Sequence, residues 1–442
     1  MKTLSVLTLL LGISAGAVLA DPTSLTLHVT PERDVVLNGS APEALVEIEI
    51  EGRTPDHAER APMNLAIVLD RSGSMSGAKI EKARQGACAA IDQMGPNDFV
   101  SMVVYDNNPQ VLFPPQHATS AAERDDLKAR IYHIQPGGGT AIYAGLQMGA
   151  AQLRKHLDHE HLSRIILLSD GIANVGPSKV SDLAGLASSL REEQLSVSTI
   201  GLGDDYNEDL MTAVAEASHA NYYYVQDAEK LPGILSEELG AARTVLARGV
   251  TVRITAPEGV RIREIIGHPE VKCEGRSAEI SMSEYFGADK RRFIARCAFD
   301  APRHETAEAA AVTLRYEDVS SGSSGKLDGW AKVKFTDDEK VSNESQRAEI
   351  AKHISVLENR AAKELAVKLA DDGKAKEAAV VLRNQAAKNE AAAPAAQIPN
   401  LAEENSKLES SAAEIASQGT LSKSSRKQVQ YENWQDKYQK AR

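Results

Sequence analysis

The chain has 442 residues, a formal net charge of -12 and only 4% aromatic residues. That length points to about two to four domains rather than one core. An acidic balance, with no basic stripe carrying interleaved aromatics, excludes nucleic acid or an anionic membrane as the main partner.

Residues 1–20 read as a secretory signal peptide. Lys2 supplies the positive start, 4–11 the apolar centre, and Val18-Leu19-Ala20 a small-residue cleavage site before Asp21. Gly12, Ser14 and Gly16 interrupt the apolar run, which favours cleavage over a retained anchor. No Cys follows the cleavage position for lipid attachment, and no later segment is apolar enough to span a bilayer. The expectation is a bacterial protein exported to the periplasm or secreted, with no membrane span in the mature chain.

Residues 21–60 alternate as strands do. Leu25, Leu27 and Val29 share one face and Val46, Ile48 and Ile50 another, with Asn38-Gly39 as a turn between them. From 61 to 242 strands and helices alternate instead. Strands are expected at 65–69, 99–105, 164–169, 197–201 and 222–225, and helices at 78–94, 140–156, 180–193 and 207–218. On the first helix Ile80, Ala83, Ala87, Ala90, Ile91 and Met94 form the buried face, leaving Lys79, Lys82 and Asp92 outward. This alternation predicts an α/β fold, a doubly wound, mostly parallel sheet covered on both faces.

Between 243 and 340 the period returns to two: Val250, Val252 and Ile254, then Val312, Leu314 and Tyr316, then Ala331, Val333 and Phe335. Residues 24–58 hold too few strands to stand alone. The expected arrangement is therefore an antiparallel β-sandwich built from both stretches, with the α/β domain inserted in it. Cys273 and Cys297 lie in two of its strand-like runs and are placed to bridge neighbouring strands; two separate thiols are the other reading. Cys88 sits on an apolar helix face and reads as packing.

Residues 341–390 read as a helical hairpin capped by Ser342 or Asn343 and turned at Asp371-Asp372-Gly373. Within 391–442 an Ala/Pro linker at 391–399 leads to C-terminal polar helices whose thin apolar stripes suggest disorder or a waiting partner.

Three short segments carry the chemistry: Asp70-Arg71-Ser72-Gly73-Ser74, Gly138-Gly139-Thr140 and Ser169-Asp170-Gly171. Asp70 and Asp170 each follow a strand, so both emerge at the carboxyl edge of the sheet, where ligands gather in open α/β folds. Ser72, Ser74 and Thr140 add three hydroxyls. Hard oxygen ligands without His or Cys suit a small divalent cation, Mg2+ first, with Ca2+ or Mn2+ possible.

These segments, in this order and context, resemble the metal-ion-dependent adhesion site (MIDAS) of von Willebrand factor type A domains, the resemblance covering roughly 64–242. In that family the positions matching Ser72, Ser74 and Thr140 contact the metal, directly in at least one state, and those matching Asp70 and Asp170 contact it directly or through water. The resemblance implies a non-enzymatic interaction or adhesion module, whose protein ligand offers an exposed acidic residue to the ion. The overall layout also resembles bacterial proteins labelled as homologues of calcium-activated chloride channels. The alternative is an assembly or scaffold subunit of a periplasmic complex with a structural metal site.

Other motifs give no competing chemistry. His156, His159 and His161 lack the spacing of a zinc-protease helix and read as a charged helix end. Gly201-Leu202-Gly203 lacks the third glycine of a dinucleotide loop and reads as a turn. No Gly-x-Ser-x-Gly elbow surrounds Ser72 or Ser74, and no Lys follows Gly139 in P-loop fashion.

Overall fold

A computed structural model describes residues 24–53, 62–158, 161–240, 245–269, 271–287, 289–302, 305–396 and 401–438. The expected signal peptide lies outside the described residues. Among them, no helix is long and apolar enough to cross a membrane.

The chain begins with β1 (Leu25–Pro31), β2 (Val35–Leu37) and β3 (Glu43–Gly52). It then enters the α/β region through β4 (Met63–Asp70), α1 (Ala78–Asp92), β5 (Phe99–Tyr105), β6 (Pro109–Gln116), α2 (Ala121–Tyr132) and α3 (Ile142–Leu153). β7 (Leu162–Ser169), α4 (Val180–Glu192), β8 (Ser196–Leu202), α5 (Glu208–Ala217), β9 (Tyr222–Val225) and α6 (Leu231–Gly240) complete it. The sheet order is β6-β5-β4-β7-β8-β9, all parallel except the edge strand β6.

Every residue of β4 is buried, as a central parallel strand requires. Leu65, Ile67 and Leu69 pack toward α1, α2 and α6, while Ala66 and Val68 pack toward α3, α4 and α5. The sheet is thus covered on both faces, as expected. Because β5 lies on one side of β4 and β7 on the other, the connections diverge between β4 and β7. That is where Asp70 and Asp170 come out.

A second β region follows: β10 (Val245–Thr255), β11 (Val260–Ile265), β12 (Cys273–Glu274), β13 (Ser277–Phe286), β14 (Lys290–Phe299), β15 (Ala307–Asp318) and β16 (Ser324–Thr336). One sheet runs β1-β3-β14-β11 and the other β12-β13-β10-β15-β16-β2. Both sheets therefore combine strands from before residue 54 with strands from after residue 244, and one apolar core lies between them. The α/β region is inserted in this sandwich.

Helices α7 (Glu339–Glu344), α8 (Ala348–Asp371), α9 (Ala375–Ala396), α10 (Leu401–Gln418) and α11 (Lys423–Tyr438) end the chain. Ile350, Ile354 and Leu357 of α8 pack on Ile266 and Ile294 of the sandwich. Tyr431 and Trp434 of α11 meet Tyr222 of β9 edge-on.

Several expectations need correction. Cys273 and Cys297 are free thiols. They sit on β12 and β14, which belong to different sheets, so they are not on the neighbouring paired strands that the expected bridge required. Neither Ser342 nor Asn343 caps a helix: Asp338 caps α7, Ser342 Oγ donates to Val35 O, and Asn343 Oδ1 accepts from Arg33. The expected Ala/Pro linker is helical as far as Ala396. The terminal helices are docked, with Leu408, Ala412, Ile415 and Val429 in a shared core. Thr140 lies just before α3 rather than within it, since Ala141 is the residue at the cap.

Candidate functional site

Asp70 is fully buried where β4 ends. Its Oδ1 accepts the Ser72 backbone N–H at 2.7 Å, closing a tight Asx turn, and its Oδ2 accepts from Ser169 Oγ at 2.6 Å. The turn swings Ser72 and Ser74 to one side, with their hydroxyl oxygens 3.0 Å apart. Met75, fully buried, pins the loop into the core beneath.

Ser74 Oγ donates to Asp170 Oδ1 at 2.7 Å, so hydrogen bonds link Ser72, Ser74 and Asp170 in series. Thr140 arrives on a third loop, held by backbone bonds from Gly137 N to Arg71 O (2.7 Å) and from Gly73 N to Gly138 O (3.1 Å). Gly138 adopts φ +79, a left-handed conformation that glycine takes without strain. Asn174 Oδ1 accepts the Thr140 N–H at 2.8 Å and so fixes the direction of that residue. A Cβ added to Gly171 would stand 3.3 Å from Thr140 Oγ1 and 3.4 Å from Ser74 Oγ, which brings both hydroxyls against the same backbone. All five expected side chains converge.

Burial pushes the Asp70 carboxyl up to about 6; the Ser169 and Ser72 donors resist that rise, and the neighbouring Asp170 adds to it. A cation placed beside it would reverse that penalty. Among the described residues no cluster of three or more His, Cys, Asp or Glu forms a competing metal site. The donors here are two carboxylates and three hydroxyls, an oxygen set that fits a hard divalent ion.

Sequence reasoning missed Lys79. It was expected to face solvent, but its Nζ lies 2.6 Å from Asp170 Oδ2. A signal was available: a lysine in the first turn of α1 opposes the helix dipole, where an acid is favoured, and so calls for a partner. Asn107 was also missed; its Oδ1 accepts from Gly139 N at 2.9 Å.

The histidine cluster lies elsewhere, at the amino end of β5. His156 stacks on Phe99 with centroids 3.9 Å apart, and His161 bonds Asp158 and Asn97 O. His159 lies outside the described residues. Gly201 and Gly203 belong to a tight strand end and turn around Tyr206, as the turn reading expects.

Residues 64–237 match the family model for the von Willebrand factor type A domain. An uncharacterized protein of Synechocystis sp. is 26% identical over 312 residues, covering 66% of this chain and 71% of that protein. The uncharacterized protein YfbK of Escherichia coli is 24% identical over 310 residues, covering 70% of this chain and 50% of YfbK. Among solved structures, a von Willebrand factor type A protein from Catenulispora acidiphila superposes with a TM-score of 0.67 at 17% identity, over 93% of this chain and 96% of that one. At that identity the likeness speaks for the fold alone. The family match and the doubly covered sheet coincide, and residues 64–237 of this chain are a von Willebrand factor type A domain.

Proposed function

We propose that the chain is an exported, non-enzymatic binding protein whose type A domain recognises an acidic group of a partner protein through a divalent cation. The observation that carries this reading is the convergence of Asp70, Ser72, Ser74, Thr140 and Asp170 at the divergence point of the sheet. Ser72, Ser74 and Thr140 would hold Mg2+ through hydroxyl oxygens, with Asp70 and Asp170 supplying the negative charge. When bound, the ion supplies a Lewis-acidic position that a carboxylate can fill. Neutral hydroxyls in the donor set leave more positive charge to share than an all-carboxylate cage would. Ser74 is exposed while Asp70 and Asp170 are fully buried, so a partner would approach from the serine side.

The scaffold reading requires the tail to dock on another protein. Its main apolar face is already covered: Trp434 is 4% exposed against β9, and Leu408 and Ile415 are fully buried. That favours recognition through the domain.

Asp70→Ala removes a fully buried carboxylate of the site, and calorimetric titration with Mg2+ is expected to show binding lost while circular dichroism stays near wild type. Unchanged Mg2+ affinity in the variant would show that the site is assigned wrongly. A partner bound to the wild-type chain should leave on adding EDTA; retention in EDTA would overturn the recognition role.

A further inference from the structure

Asp170 is a fully buried carboxylate that already carries a cation of the chain's own. Lys79 Nζ stands 2.6 Å from its Oδ2, while Ser74 Oγ occupies its Oδ1 at 2.7 Å. Among the described residues no other cation pairs with Asp170. The Lys79 side chain is 29% exposed against 0% for Asp170, so the ammonium reaches inward from the rim. An unpaired buried carboxylate is costly, and a lysine beside it offsets that cost in the metal-free chain.

We propose that Lys79 is a tethered counter-ion that competes with the divalent cation for Asp170, so that this residue sets how tightly the site holds metal. The inference rests on reading the five oxygens as a divalent-cation site. A divalent ion drawing on Asp170, directly or through water, brings two positive charges close to an ammonium held on the same carboxylate. Like charges sharing one acid in a poorly solvated site repel strongly, so binding requires the lysine to yield.

The fold gives it somewhere to go. Lys79 runs beside Gly203, where an added Cβ would lie 3.5 Å from its Cε. On the same loop is Asp205, an exposed carboxylate that the Lys79 charge already reaches and that Lys423 contacts at 3.0 Å. A flexible four-carbon stem can make that move, whereas a metal ligand on the backbone could not.

Calorimetric Mg2+ titration of the full chain compares wild type, Lys79→Met and Lys79→Arg, with thermal unfolding in EDTA and in saturating Mg2+. Lys79→Met is expected to bind Mg2+ about tenfold tighter or more, the effect of removing one close like charge. It should also melt earlier in EDTA and recover in Mg2+, while Lys79→Arg keeps the wild-type affinity. Equal or weaker Mg2+ affinity in Lys79→Met overturns the proposal. A second measurement needs no variant: amine-reactive labelling of wild-type Lys79, read by mass spectrometry, should rise when Mg2+ is added. Unchanged labelling in protein that binds Mg2+ also overturns it. The two readings fail separately. If Asp70→Ala binds Mg2+ as wild type does, the site itself is misassigned; if Asp70→Ala loses Mg2+ while Lys79→Met matches wild type, only the lysine inference falls.

Discussion

Gly201, in β8, has no room for a side chain. A Cβ there would lie 2.1 to 2.6 Å from the ring of Tyr206, which is 2% exposed and hydrogen-bonded to Tyr222 at 2.7 Å. The ring is rigid and held at its hydroxyl end, so it cannot step aside cheaply. Gly201→Ala is expected to cost about 3 kcal/mol, at the upper end for overpacking, read as a lower urea midpoint with an unchanged slope. The glycine motif was legible only as a turn, because its constraint comes from a side chain five positions away whose direction the sequence does not give. The metal-site oxygens were legible for the opposite reason. Asp70 and Asp170 follow strands whose apolar runs are unmistakable, and Ser72, Ser74 and Thr140 come from the loops beside them. Lys79 was not, since helical spacing says which face it occupies but not which distant loop stands opposite.

The terminal helix α11 was expected to be loose because its apolar stripe is thin. It is held by charge as much as by Trp434. Lys427, 2% exposed, meets Glu208 at 2.8 Å and lies 5.0 Å above the Tyr206 ring, while Arg426 reaches Glu208, Asp209 and Asp371. A hydropathy pattern counts such residues as solvent-facing and so underrates the helix. Lys427→Ala is expected to cost about 2 kcal/mol, the loss of one charged hydrogen bond, because Arg426 still neutralises Glu208. Hydrogen exchange should then quicken across 423–438 before it does in β4; equal protection would mean that the charge pairs do not hold the helix. Three elements inside the domain, β6, α2 and α6, also escaped the sequence reading. The edge strand β6 contains Pro109, Pro114 and Pro115, which a strand tolerates only at an edge. Helix α2 buries only Leu127 and Ile131, too few for periodicity, yet its capping box of Ser120 and Glu123 was a readable start signal.

Insertion was legible because the early strands cannot form a stable unit alone, but what locks the parts together was not, since it depends on contacts about 300 residues apart. His353 on α8 donates from Nδ1 to Glu47 Oε2 on β3 at 2.9 Å, and both residues are buried. Its Nε2 has no hydrogen-bond partner among the described residues, so a second proton there would gain nothing. Burial lowers the His353 pKa below its usual 6.5, and Arg292 and His268 add to that; Glu47 opposes it without prevailing. The folded chain therefore prefers the neutral ring. A histidine depressed on folding contributes stability that is fully present above the unfolded value and is lost as pH falls below about 6.5. The urea midpoint is expected to drop between pH 7.5 and 5.5, and His353→Gln should flatten that slope. An equal slope in the variant would place the pH dependence elsewhere. Because α8 spans from this contact to the core it shares with α9 and α11, weakening it should loosen the hold of the tail on the sandwich while the parallel sheet, whose cores contain no residue of α8, keeps its own protection.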